Sequence, residues 1–475
     1  MLKTLLPVLI LFSFFNNQVQ ATGLKISNEI LFVEGPRDNR QMYAILYVEW
    51  QNAWKNDRNN DAVWLFCKFL SGDDGYRHIT LKPSGHAVLQ SIQPPGVKIN
   101  LEVSGDGTGL FISPAEAFRG TVALKIKLAI DAAPLADFNT DRAAFKAFGL
   151  EMVHVPTGSF YVGESDSTAA FQYAAFYQPN EQGGHAGPVY IQSEQALEFG
   201  KDFSYRVQRG IYQGDVQGPV PDAFPKGFHG FYIMKYEITQ GNYADFLNSL
   251  SREQSQLRNN FGGKGYYNYR GTIALNGEKY SAASPDRPCN FLSWDDAMAF
   301  ADWCALRPMT ELEFEKACRA DRKPTDREFP WGNADKLHVE RRVNRAGDLV
   351  HLQGKSESEL FPDNLAEFAA SPYGVLDLAG SLWERCITVG DSTGRAFKGS
   401  HGDGRLSYFG FATNPDWPSG VQENGGFGFR GGGFYHHDRG YHEFNPFSPV
   451  SYRPYGAWSG GNRTEAYGSR LVRTR

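Results

Sequence analysis

A chain of 475 residues is longer than one ordinary hydrophobic core accommodates, so two domains are the expected count. Its composition, 41% hydrophobic, 14% aromatic and 21% charged, excludes wholesale disorder, and 51 glycines favour turns and long loops over a helical bundle. A formal net charge of -5 supplies neither the basic field of a nucleic-acid binder nor a strongly acidic tail.

At the start of the chain, Lys3 precedes the apolar run Leu5 to Phe15, and Val19-Gln20-Ala21 has the small-residue spacing that signal peptidase reads. Residues 1–21 are therefore expected to be a signal peptide removed after Ala21. The run is shorter than the roughly 20 apolar residues of a spanning helix, and no later segment is apolar enough to span a bilayer. No cysteine stands at the cleavage point to take a lipid anchor. The expectation is an exported protein, periplasmic or extracellular, with no membrane span. The cysteines Cys67, Cys289, Cys304, Cys318 and Cys386 show no C-x-x-C spacing, which argues against a thiolate zinc site or a thioredoxin-like motif. Buried small hydrophobes, with one or two disulfides at most, are the expected use.

From Leu24 to about Ile130 the pattern is one of strands between polar or glycine-bearing turns. Met42, Ala44, Leu46, Val48 and Trp50 alternate with side chains of the opposite face, as do Val122, Leu124, Ile126, Leu128 and Ile130 around Lys125 and Lys127. With the shorter runs Val63 to Leu70, Val97 to Val103 and Leu110 to Ile112, this predicts an all-β sandwich over 22–131, a structural domain or a partner-docking one. His78 and His86 flank a strand and read as surface residues. Residues 132–147, which hold Ala132-Ala133-Pro134 and a short charged stretch whose Phe145 stands at a helical spacing from Phe148, read as a linker. A second domain follows over 148–475, with the region near 165–225, rich in Gln, Gly, Asp and aromatics, read as a surface insertion.

Helices in the second domain are announced by their caps. Thr239 precedes Tyr243, Phe246, Leu247 and Leu250; Ser293 with Asp296 precedes Ala297, Met298, Ala301 and Cys304; Thr310 with Glu313 precedes Phe314, Ala317 and Cys318. Beyond Pro372 the chain is glycine- and aromatic-rich with few helix signals. The predicted class is α+β with much irregular backbone.

Several segments, in this order, carry a resemblance: Met152-Val153-His154-Val155-Pro156-Thr157-Gly158, Phe231 to Thr239, Arg287 to Cys304, Arg307-Pro308-Met309-Thr310-Glu311, Pro330-Trp331-Gly332, Tyr373 to Glu384, and Arg430-Gly431-Gly432. Together they resemble the formylglycine-generating enzyme (sulfatase-modifying factor) family, whose fold is a variant of the C-type lectin architecture, over about residues 148–475. In that family a calcium ion is held by a side-chain oxygen, two main-chain carbonyls and a glutamate. The resemblance assigns those roles to Asp377, Gly380, Leu382 and Glu384. Asp377 stands where the family usually has Asn, as does Ser381. Two carboxylates around a glycine-containing turn still offer the hard oxygens calcium prefers, so structural calcium is the cofactor expected.

The family oxidises a substrate cysteine with dioxygen, using two cysteines that hold copper in its soft, low-valent state. Here His436 and Tyr441 stand where those cysteines should be, and no cysteine follows Cys386, so neither copper nor formylglycine formation is expected. One alternative is a different oxidase, with His436, His437 and His442 joined by Asp438, Glu443, His401 or Asp403 around iron or copper. Adjacent histidines in a strand point to opposite faces, which counts against it. The favoured reading is a noncatalytic recognition or assembly protein. In it, Tyr435, His436, His437, Tyr441, His442 and Trp458, within the aromatic-rich stretch from Phe397 to Trp458, bind a peptide, protein or glycan and no nucleic acid.

Overall fold

The computed structural model describes residues 23–34, 41–70, 75–133, 144–207, 212, 214–259, 261, 266–335, 342–343, 349–350, 364–433, 448–460 and 462–474. The first strands are β1 (Lys25–Glu34), β2 (Gln41–Lys55), β3 (Asp61–Leu70), β4 (Tyr76–His78), β5 (Ala87–Gln93), β6 (Ile99–Val103), β7 (Leu110–Pro114) and β8 (Phe118–Ile130). There follow β9 (Ala144–Val155), β10 (Phe160–Val162), α1 (Ser167–Gln172), β11 (Gln178–Pro179), β12 (His185–Gly187), β13 (Val189–Ile191), β14 (Phe231–Met234), α2 (Gln240–Leu247), α3 (Arg252–Arg258), β15 (Ile273–Asn276) and β16 (Lys279–Ala282). The remainder comprises α4 (Trp294–Trp303), β17 (Arg307–Pro308), α5 (Glu311–Arg319), β18 (Arg342–Val343), β19 (Leu349–Val350), β20 (Trp383–Ile387), α6 (Ser392–Arg395), β21 (Phe427–Arg430), β22 (Tyr467–Gly468) and β23 (Leu471–Thr474). Short helices and mixed sheets joined by long irregular stretches make the α+β class predicted.

Two sheets dominate. One has the order β1-β2-β8-β5; the other is eight-stranded, in the order β17-β23-β14-β9-β3-β7-β6 with β4 also paired to β3. The predicted alternation buries Ala44, Leu46, Val48 and Trp50 of β2 and Val122, Leu124, Ile126, Leu128 and Ile130 of β8 against Val63, Leu65, Cys67 and Phe69 of β3. The other face of β3, with Ala62, Trp64 and Phe66, enters a second core with Phe148, Leu150 and Met152 of β9 and with Phe246, Phe300 and Trp303 of α2 and α4. Burial on both faces explains why β3 reads as a continuous apolar run, whereas β2 and β8 of the facing sheet alternate.

The eight-stranded sheet runs without a break from the N-terminal region into the second domain. β3 pairs antiparallel with β9 from Asp61 opposite Val153 to Leu70 opposite Ala144, so residues 144–147, expected within a linker, are already strand. Phe145 and Phe148, spaced as on a helix, fall on opposite faces of β9, because an odd separation in a strand does that. Side chains strengthen the junction. Trp64 Nε1 donates to the Cys304 carbonyl at 2.8 Å, Phe111 stacks on Tyr232 at 3.9 Å between centroids, and Arg473 pairs with Asp106 at 2.6 Å while lying 4.5 Å from the Trp64 ring centre. Burial opposes ionisation of Asp106, but the Arg473 charge and hydrogen bonds from Arg473, Ser104 and Thr108 outweigh it and hold the carboxyl well below the usual carboxylate range.

Two other expectations are corrected. The 165–225 region is not laid on the surface: Phe176, Phe203, Tyr205, Val220 and Phe224 are buried in the second core. Its apolar residues come from short strands and turns, which leave no period in the sequence. His78 is not a surface residue either. Its Nδ1 lies 2.8 Å from the buried Lys68 Nζ, and Nε2, 2.7 Å from the Thr108 carbonyl, carries the proton. Burial pushes the pKa of both His78 and Lys68 well down. His86 is half-buried, with Nε2 2.7 Å from the Lys82 carbonyl. Among the described residues no helix is long and apolar enough to cross a membrane.

Candidate functional site

The turn from Asp377 into β20 brings ionisable groups together in the interior. Asp377, Gly380 and Ser381 have φ of 60°, 96° and 65°, and Gly380 N–H donates to the Gly431 carbonyl at 2.9 Å. The left-handed conformation costs a non-glycine residue on the order of 1 kcal/mol, so the two held there at Asp377 and Ser381 mark a backbone over-determined by its surroundings. β20 sits between β21 and β22, opposing Glu384 to Arg430 and Gly468 and burying its side chain. The Glu384 carboxylate accepts from Arg470 Nε and Nη2 at 2.9 to 3.1 Å, and the same guanidinium donates to the carbonyls of Met234, Lys235 and Leu376.

Glu237, at the end of the Phe231 to Ile238 apolar run, completes the cluster. Its Oε1 accepts from Leu382 N–H at 2.9 Å, whereas Oε2 is buried with no hydrogen-bond partner among the described residues. Burial, then the charges of Glu384 and Asp377, push its pKa well up; burial raises Glu384 too, against the pull of Arg470. Glu384 thus holds the guanidinium directly, while the Glu237 and Asp377 carboxyl groups act on Arg470 through their charges. The unsatisfied Glu237 oxygen and the Asp377 and Glu384 carboxyl groups are oxygen donors of the kind a hard divalent cation prefers. Among the described residues no three His, Cys, Asp or Glu side chains converge as a ligand set, so backbone carbonyls such as those of Gly380 and Leu382 would have to complete it.

Of the aromatic and histidine candidates, Tyr435, His436, His437, Tyr441 and His442 lie outside the described residues. The residues flanking them are anchored beside the carboxylate cluster: Ser448 N–H donates to the Gly431 carbonyl at 3.2 Å, and Gly433 packs against Trp383. Trp458 is half-buried in an aromatic cluster with Phe429, Tyr455 and Tyr467 at centroid distances of 5.8, 5.8 and 6.5 Å. Arg385 sits among the same rings, 4.6 Å from Phe429, and its burial lowers its pKa to about 10. His401 is committed elsewhere: Nε2 accepts from Thr474 N–H at 3.0 Å, and burial beside Arg473 and Arg307 keeps the ring neutral. That nitrogen is not available to a metal.

A cleft of about 570 Å³ opens between α4 and the 411–421 segment, lined by Trp294, Asp295, Met298, Phe411, Trp417 and Val421 among others. Its two indoles are locked, Trp294 Nε1 onto the Pro418 carbonyl at 2.8 Å and Trp417 Nε1 onto the Ser400 carbonyl at 3.0 Å. Burial raises the Asp295 carboxyl, and Asn414 Oδ1 is buried without a hydrogen-bond partner among the described residues. Beside the cleft, Tyr408, Phe409 and Phe411 are 74%, 58% and 40% exposed, unusual for large rings that water disfavours. Phe411 and Trp417 meet Trp294 at this cleft, a proximity that no local pattern in the sequence records.

All five cysteines are buried and unpaired. Burial raises each thiol, so none is a ready thiolate for metal or redox work.

The sulfatase-modifying factor enzyme 1-like domain family matches residues 143–475, from one residue before β9. The chain belongs to that family. Among characterised relatives, the formylglycine-generating enzyme of Thermomonospora curvata is 34% identical over 105 residues, 22% of this chain and 33% of that enzyme. Hercynine oxygenase of Mycolicibacterium smegmatis is 32% identical over 100 residues, 21% of each chain. The inactive C-alpha-formylglycine-generating enzyme 2 of Bos taurus is 33% identical over 106 residues, 20% of this chain and 31% of that protein. The matches thus span a third or less of these relatives' lengths.

Proposed function

We propose that this protein is an exported, noncatalytic recognition or assembly protein of the sulfatase-modifying factor family. The observation that carries the reading is the state of the thiols: all five cysteines are buried, and none follows Cys386, where copper-thiolate chemistry needs a pair. A bovine relative described as inactive supports a family role without that chemistry. The ligand, a peptide, protein or glycan, engages the Gly/aromatic-rich C-terminal surface, with the cleft at Phe411 and Trp417 as its described part; its volume lies in the range of about 300–1,000 Å³ usual for ligand pockets. Calcium at Asp377, Gly380, Leu382 and Glu384 stiffens the turn beneath this surface. The N-terminal strands β1 to β8, shared between the β1-β2-β8-β5 sheet and the β3, β4, β6 and β7 part of the eight-stranded sheet, form a β-sandwich that docks a partner beside a lectin-like domain. Screening the purified protein on glycan and peptide arrays, followed by titration, tests this: Trp417→Ala and Phe411→Ala should each weaken the selected ligand at least about tenfold, the loss of one anchoring aromatic. Equal binding by both variants would remove the cleft from the proposal.

The relatives named hercynine oxygenase favour a second reading, a metal-dependent oxidase centred on His436, His437 and His442. Elemental analysis separates the two. Stoichiometric calcium alone supports recognition; stoichiometric iron or copper lost in His436→Ala supports the oxidase.

A further inference from the structure

Lys235, Asp61 and Glu151 lie side by side across the eight-stranded sheet. Asp61 opens β3, Glu151 is within β9, and Lys235 follows β14. Their side chains are 1%, 1% and 4% exposed, and Lys235 Nζ lies 3.4 Å from Glu151 Oε2 and 3.9 Å from Asp61 Oδ2. The backbone fixes all three. Lys235 N–H donates to the Glu151 carbonyl at 2.9 Å, the Lys235 carbonyl accepts from Leu376 N–H at 3.0 Å, and Trp54 N–H donates to Asp61 Oδ1 at 2.8 Å. The neighbouring Trp54, Val153 and Ile233 belong to one buried apolar core.

One amine and two carboxyl groups in such a place carry a heavy desolvation cost if all are charged, and passing the ammonium proton to Asp61 relieves part of it, which leaves a neutral amine, a protonated Asp61 and a Glu151 carboxylate able to accept a proton. Those are the reactive forms for amide condensation. A desolvated lysine is a nucleophile, and two groups held in contact need no second reactant to meet. We infer that Lys235 and Asp61 condense into an intramolecular amide, with Glu151 carrying the proton. The Nζ lone pair attacks Asp61 Cγ, while the Trp54 N–H holds Oδ1 as negative charge develops on it. Glu151 accepts a proton from Nζ and delivers it to Oδ2; the Cγ–Oδ2 bond breaks and one water leaves. Nothing is oxidised or reduced. The Trp54 hydrogen bond selects Asp61 as electrophile over the nearer Glu151. The product removes the lysine and aspartate charges from the core and ties β3 to the segment after β14 across β9.

Proteolytic digestion of the denatured full-length protein with tandem mass spectrometry tests the bond. The expected result is a branched peptide joining the Asp61 and Lys235 segments, lighter by one water than their sum. Glu151→Gln and Lys235→Arg should return two linear peptides. Unlinked Asp61 and Lys235 peptides in the unsubstituted protein, or a branch at Glu151, would overturn the inference; a branch persisting in Glu151→Gln would overturn the proton role. The decisive reading comes from the unsubstituted chain, so poor folding of a variant does not obscure it.

Discussion

Arg470 holds Glu384 and three backbone carbonyls at once, entirely out of solvent. Removing one partner of such a buried pair leaves an uncompensated charge, so Arg470→Ala should lower unfolding stability by about 3–5 kcal/mol, read from denaturant midpoints. Arg470→Lys, which keeps the charge and loses the fork, should fall between that variant and the parent. A second buried carboxylate predicts a pH dependence. Burial raises Asp302 from 3.8 to about 6, assisted by the Asp403 charge and opposed by hydrogen bonds from Thr413 and Asp403, with Lys68 also facing it. The folded state holds this proton more tightly than the unfolded chain. Its stabilisation is therefore complete below the unfolded value and is lost as pH rises through about 6, a change of at most about 3 kcal/mol. Asp302→Asn should flatten the stability profile across that window, and an unchanged slope would count against the assignment. At this scale Asp377 and Glu384 stand in a motif that the sequence displays by itself. It did not reveal Glu237 or Arg470, which reach the cluster from positions 145 residues before Leu382 and 86 residues after Glu384, a proximity set only by the folded chain.

The helices were the most legible elements, because a capping box is a local bond between residues three apart. Thr239, Ser293 and Thr310 each cap their helices reciprocally, as their sequences predict, and Ser251 with Gln254 does the same for α3, a signal equally local but overlooked. Ser251→Ala should cost about 1 kcal/mol, measurable by chemical denaturation, with no change in ligand binding. The strands of the first sheet were legible for a similar reason, since one wet face enforces alternation. The 165–225 region was not. Phe176 and Phe203 find their places through contacts with distant elements, and no local period records them. Phe145 and Phe148 illustrate the remaining ambiguity: a three-residue spacing in a short charged stretch suits a helix turn, and only the pairing with β3 decides otherwise.

At the scale of the molecule, the unbroken sheet and the shared Trp64, Phe148 and Trp303 core predict that the two regions unfold together. Calorimetry of the full chain should give one cooperative transition, and two well-separated ones would contradict it. A fragment of residues 144–475 should be poorly soluble, because β9 would lose β3 and present both an open edge and its apolar side chains. The sheet has a further consequence. β23 lies between β17 and β14, and Arg473 within it grips Asp106. Of all the strands in that sheet it is the last to leave the ribosome. Vectorial synthesis therefore cannot finish the N-terminal part first and add the rest to a completed base; the nascent chain waits with an unfilled slot at β14 until β23 has been made.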